Sequence, residues 1–138
     1  MQFKTDTHQL FVNQDRYRIE ELLGAGGSGK VYRAFDQKLL RSVAIKVIPF
    51  SDSNTFREAQ VLAELDSPSI VKVFDVLHND VSIGIVMEWV DLDTSLNAQN
   101  LFEMDADSFY FVLDKILQAV NVIHSAGLLH LDLKPDNI

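Results

Sequence analysis

The chain has 138 residues, 47% of them hydrophobic and 23% charged, with a net charge of −8. This composition suits one domain with a buried core and excludes a disordered chain. The acidic balance argues against nucleic acid or an anionic membrane as the main partner, because both require a basic face. There is no cysteine, which removes disulfides, thiolate catalysis and cysteine-ligated zinc and accords with a cytoplasmic location. The opening "MQFKTDTHQLF" lacks the basic and apolar regions of a signal peptide. No apolar run approaches the roughly 20 residues of a membrane-spanning helix.

Residues 1–16 are polar and read as a lead-in. "YRIEELL" (17–23) predicts a strand that runs into the glycine-rich stretch "GAGGSGKV" (24–31). "KVYRAFD" (30–36) alternates Val31, Arg33 and Phe35 against Tyr32, Ala34 and Asp36, the two-residue period of a second strand. "SVAIKVI" (42–48) predicts a third strand stopped by Pro49. Short connections between the three imply an antiparallel sheet. "NTFREAQVLAELD" (54–66) is helical, and Leu62 and Leu65 follow Glu58 at i+4 and i+7, which places Glu58 on their inward face. "SIVKVFDVL" (69–77) and "VSIGIVMEWV" (81–90) predict two more strands around the turn "HND". A polar stretch leads to a helix over 107–125, ended by Gly127 in the C′ position. The last segment, "LLHLDLKPDNI", is polar and irregular.

Two phosphate-binding patterns overlap in "GAGGSGKV". Read as Gly24-x-x-x-x-Gly29-Lys30, it is the P-loop of nucleotide triphosphatases. That pattern requires Ser or Thr next, as a metal ligand, and opens directly into a helix. Here the next residue is Val31 and a strand follows, so the match fails. The pattern Gly24-x-Gly26-x-x-Gly29-x-Val31 remains, although taken alone it also fits a flexible hairpin turn. Lys46 alternates with Ala44 on the third strand and lies between apolar Ile45 and Val47. A lone strand lysine is ordinarily a solvated charge, but a buried one needs a partner. Glu58 is one candidate, and Thr55-x-x-Glu58 also fits a capping box.

The segment "HLDLKPDN" (130–137) resembles the catalytic loop H-R-D-L-x-x-x-N of the eukaryotic-type protein kinases. The glycine stretch, Lys46, Glu58 and this segment follow in that family's order and spacing, and the resemblance covers the chain from about residue 17. Lys134-Pro135 resembles the serine/threonine-specific branch. The resemblance implies an α+β kinase-like fold: a five-stranded antiparallel sheet with one helix and a hinge (17–90), then the first helices and catalytic loop of a second lobe (91–138). It implies ATP and Mg²⁺ as cofactors and a protein serine or threonine as phosphoryl acceptor. In that reading Gly24, Ala25, Gly26, Gly27, Ser28 and Gly29 line the phosphates, and Lys46, fixed by Glu58, holds two of them. Val31 and Ala44 sandwich the adenine, Met87 is the gatekeeper, and the backbone of Glu88 and Val90 meets the base edge. Asp132 orients or accepts the proton of the substrate hydroxyl, Lys134 offsets charge on the γ-phosphate, and Asn137 ligates Mg²⁺. His130 is structural, and His8, His78 and His124 have no metal-ligand spacing.

The chain departs from the family in three places. Leu131 replaces the arginine that pairs with a phosphorylated activation loop, the non-RD pattern. "DLDTSL" (91–96) lacks the usual glycine after the hinge, which leaves Asp93 and Thr94 as alternatives for the ribose contact. The D-F-G aspartate would fall beyond Ile138, so the chain alone is expected to be inactive. Helix 107–125 has its clear polar stripe only at Asp114, Gln118, Asn121 and Ser125. Four or five apolar side chains left exposed there would forgo roughly 6–15 kcal/mol, which matches the whole stability of a typical domain. The isolated chain is therefore expected to be marginal, oligomeric or partner-bound. Two alternatives are a nucleotide-binding pseudokinase or regulatory module, and an interaction protein that docks through the exposed helix.

Overall fold

A computed structural model describes residues 15–27, 29–51, 53–90, 98–130 and 133. Five strands, β1 (Tyr17–Gly26), β2 (Gly29–Asp36), β3 (Arg41–Pro49), β4 (Val73–His78) and β5 (Ser82–Glu88), form one antiparallel sheet in the order β1-β2-β3-β5-β4. Helix α1 (Ser53–Glu64) lies between β3 and β4 in the chain, and α2 (Ala98–Glu103) and α3 (Ala106–Ser125) follow β5. The described residues up to Glu64 form one compact unit with Lys72–Trp89; Leu65–Val71 and the described residues from Val90 onward form a second.

The alternation in β2 sets the two faces of the sheet. Tyr32, Ala34 and Asp36 are buried while Val31, Arg33 and Phe35 are half-buried. Antiparallel register carries the pattern sideways, pairing Tyr32 with Ile45 and Ala34 with Val43. With Val47, Leu77 and Val86 these residues make the main core, flanked by Tyr17, Ile19 and Phe74. On the opposite face α1 inserts Phe56 and Ala59 against Ile83 and Ile85.

The sheet curls until its two edge strands meet. Tyr17, on edge strand β1, donates its hydroxyl to Asp75 Oδ2 on edge strand β4 at 3.1 Å. Arg16 joins the same carboxylate through Nη1 at 3.3 Å and grips Asp36 with Nε at 3.0 Å and Nη2 at 2.7 Å. Asp36 is fully buried and also accepts the backbone N–H groups of Lys38 and Leu39. The charge-assisted bonds from Arg16, aided by those two amides, hold its carboxyl down at about 2 against an ordinary 3.8. Burial, reinforced by the Asp75 charge, raises the Tyr17 hydroxyl and keeps it neutral.

Three boundaries differ from the sequence reading. β1 continues through the glycines to Gly26, because the hairpin stays paired to its tip. β4 starts only at Val73: Ser67–Ile70 is a turn with Pro68 in second position, in which Ile70 N–H donates to the Ser67 carbonyl at 3.2 Å. Helix α2 arises within the stretch read as merely polar.

Helix α3 has a defined cap at each end. Asp105 is the N-cap and accepts Ser108 N–H at 2.8 Å and its hydroxyl at 3.0 Å. At the other end Gly127 adopts φ 76°. Its N–H reaches the His124 carbonyl at 2.9 Å, and the Leu128 N–H reaches that of Ile123 at 3.1 Å. That pair is a Schellman motif, with Gly127 in the expected C′ position. Between the caps only Ile123 is buried among the described residues, while Tyr110, Phe111 and Leu117 are 66%, 64% and 59% exposed. No described helix is long and apolar enough to cross a membrane.

Candidate active site

The glycine stretch forms the tip of the β1–β2 hairpin, with Gly24 paired to Val31, Ala25 to Lys30 and Gly26 to Gly29. Its glycines are not equivalent. Gly29 has φ +117°, and a Cβ there would lie 2.3 Å from the Val47 carbonyl oxygen, so no L side chain fits. A Cβ at Gly24, Gly26 or Gly27 would meet nothing within 4 Å. The fold requires Gly29 for its own packing and leaves the hairpin edge open at the other three. That open edge is where an anionic group can approach backbone N–H donors.

Register then assembles a face. Val31 pairs with Lys46 across β2 and β3, Arg33 with Ala44, and Ala44 with Met87 across β3 and β5. Directly paired residues point to the same side of a sheet, so Val31, Ala44, Lys46 and Met87 share the side opposite the main core. Ala44 is buried; Val31, Lys46 and Met87 are half-buried. Glu88 closes β5, and its N–H already donates to the Lys72 carbonyl at 2.8 Å.

Glu58 stands differently from its sequence placement. It is exposed, and α1 turns Ala59 and Phe56 inward instead. The helix ends at Glu64, which leaves Leu65 outside it, and Glu58 lies about 100° around the helix from Ala59. Among the described residues no ion pair joins Lys46 to Glu58. Thr55 sits inside α1 rather than at its N-cap, so the capping-box alternative does not hold; its hydroxyl lies 2.6 Å from that of Ser51. His130 and Leu133 are at the surface.

Ser28, Asp93, Thr94, Leu131, Asp132, Lys134 and Asn137 lie outside the described residues. Among the described residues no group of three or more His, Asp or Glu side chains converges to hold a metal. The sequence reading missed Glu20, Arg33 and Trp89, which stand together beside the assembled face: Arg33 lies 5.1 Å over the Trp89 ring and its Nε is 3.4 Å from Glu20 Oε2. The signal was present, since Arg33 alternates with Val31 and Trp89 lies two residues past Met87.

A family model described as protein kinase domain matches residues 17–138. The chain belongs to the protein kinase family. Similar curated proteins include the serine/threonine-protein kinase PknD of Chlamydia muridarum, 34% identical over 89% of this chain and 15% of its own length. PknJ of Mycobacterium tuberculosis is 36% identical over 88% of this chain and 22% of its own length. PknB of Mycobacterium leprae is 37% identical over 90% and 22%. The chain thus spans about a fifth of these kinases or less. Among solved structures, Rad53 1–466 in complex with AMP-PNP superposes with a TM-score of 0.77 at 29% identity, covering 88% of this chain and 34% of that one. The kinase fold and the α+β class expected from the sequence are both present.

Proposed function

We propose that this chain is the ATP-binding half of a serine/threonine protein kinase domain, with residues 17–90 as the nucleotide lobe and 91–138 as the opening of the substrate lobe. The observation that carries the proposal is the common face of Val31, Ala44, Lys46 and Met87 beside a glycine edge with no Cβ in the way. Similarity to serine/threonine-protein kinases and to a kinase solved with AMP-PNP supports it.

The residues present fit ATP. Val31 and Ala44 offer a small apolar surface for the base. The Glu88 N–H is committed to Lys72, so Glu88 would meet the base edge with its carbonyl, and Val90 would supply an N–H. Residues 24–29 would face the phosphates with backbone N–H groups. Lys46 would offset their charge, with Glu58 orienting it once α1 brings that side chain round. Asp132 would accept the proton of the protein hydroxyl as its oxygen attacks, Lys134 would neutralise charge on the transferred group, and Asn137 would hold Mg²⁺. ATP supplies the activated phosphoryl group and Mg²⁺ screens its charge. A partner or further chain covering the apolar residues of α3 belongs to the same proposal.

Calorimetric titration of the 138-residue chain with ATP, with and without Mg²⁺, tests the nucleotide reading. Saturable binding that Lys46→Ala weakens is the expected result; folded protein that binds nothing would sink it. The outward Glu58 favours a second reading, a nucleotide-binding module without catalysis. Phosphotransfer by a longer form that continues past the D-F-G segment separates the two. Activity there, lost in Asp132→Ala, supports the enzyme; ATP binding with no transfer supports the module.

A further inference from the structure

Beside the assembled face runs a row of side chains that the kinase motifs do not include. Arg18 lies over the Phe35 ring at 5.3 Å, and its Nη2 donates to Glu20 Oε1 at 3.0 Å. Glu20 Oε2 is 3.4 Å from Arg33 Nε, and the Arg33 guanidinium lies 5.1 Å over the Trp89 ring. The row therefore alternates aromatic, cation, anion, cation, aromatic.

Two local features build it. The β1–β2 register pairs Ile19 with Ala34 and next Glu21 with Arg33, so Glu20 is the extra residue of a bulge, which re-aims a side chain. Ala44 faces Arg33 on one side and Met87 on the other. Its single methyl lets the long Arg33 side chain reach across β3 to Trp89. Arg33 Nε is buried without a hydrogen bond, so among the described residues Glu20 and the ring hold this guanidinium in place.

We infer that Arg33 is a positioning residue for nucleotide binding. It ties β2, which carries Val31, to Trp89, the residue directly after Glu88 at the end of β5, and so fixes the spacing between the two sides of the base-binding face. The inference rests on the ATP reading above. The Glu20 and Arg33 side chains are 30% and 41% exposed, and ion pairs of that kind add little to global stability. Affinity is more sensitive, because it falls in proportion to the time the two sides spend out of register. A cation–π contact at an exposed site corresponds to about a two- to fivefold change in that population.

Trp89 is the only tryptophan in the chain, so its emission reports on this contact directly. ATP is titrated into the 138-residue chain and its Arg33→Met and Arg33→Lys variants, followed by Trp89 emission and by calorimetry, alongside each protein's unfolding midpoint. Arg33→Met is expected to alter Trp89 emission before nucleotide is added, to weaken ATP binding about two- to fivefold, and to leave the unfolding midpoint unchanged. Arg33→Lys keeps a cation over the ring and recovers part of both signals. A parent chain that binds ATP and an Arg33→Met variant that binds it equally well would overturn this role alone. An affinity loss that Lys does not rescue and that tracks the unfolding midpoint would also overturn it, by making Arg33 merely structural. A folded parent that binds no ATP takes down the nucleotide reading and this role together.

Discussion

The curled sheet and helix α3 treat their hydrophobic residues in opposite ways. In the sheet, Val43, Ile45, Ile83 and Val86 are lost from solvent entirely. In α3, Phe109, Tyr110, Phe111, Leu113 and Leu117 remain exposed. The difference follows from geometry. A strand has two faces, and the sheet unit covers one by curling on itself and the other with α1. A helix that is apolar most of the way round needs neighbours on most sides. Apolar content therefore locates an element, while the number of faces it must cover decides whether burial is reached within one unit.

The contrast breaks most visibly at single truncations. Ile45→Ala is expected to lower unfolding free energy by about 2–5 kcal/mol, whereas Leu117→Ala stays within about 0.5 kcal/mol. Equal losses in denaturant titrations would mean that α3 buries its apolar side in solution. Next comes the charged clasp at the sheet edge. Asp36→Ala leaves Arg16 Nε and Nη2 and two backbone amides without their acceptor and is expected to cost about 3 kcal/mol. The same group sets an acid limit. Because the folded carboxyl sits near 2 and its ordinary value is 3.8, its contribution is intact above pH 4 and drains away as pH falls from there through 2. An unfolding midpoint flat across that window would show that the clasp contributes nothing.

Within the sheet unit the glycines sharpen the contrast between fold and site. Gly29→Ala drives a Cβ toward the Val47 carbonyl and is expected to cost about 2–3 kcal/mol. Gly24→Ala meets open space and should leave stability within about 0.5 kcal/mol while weakening ATP binding. Calorimetry and unfolding on both variants check the division; matching stability losses would refute it. A small effect of the opposite sign lies at Leu40, 75% exposed with φ 53°. Leu40→Gly removes left-handed strain and is expected to gain about 0.5–1 kcal/mol; a destabilised variant would show that Leu40 is held by contacts.

What the sequence revealed and what it concealed divide along physical lines. The two-residue period of β2 told which residues face together, and register did the rest for Val31, Ala44, Lys46 and Met87. The Schellman end of α3 was legible because a glycine after a periodic run has few other uses. The rotation of α1 was not, because a small residue, Ala59, seats the helix and hydrophobic patterning weights Leu62 and Leu65 above it. The start of β4 was lost because the Ser67–Ile70 turn overlaps the front of the run 69–77 that looks like strand. The Arg16 clasp was out of reach altogether, since it joins side chains 59 positions apart through a curl that no local pattern encodes.

That clasp also bears on where the domain begins. The family match starts at Tyr17, yet Arg16 accepts the Gln37 N–H on its carbonyl at 2.8 Å and bridges Asp36 to Asp75. A cut at the border drawn by resemblance would remove one residue that binds three others. Arg16, immediately upstream of that border, is costly to omit, and an expression boundary belongs before it.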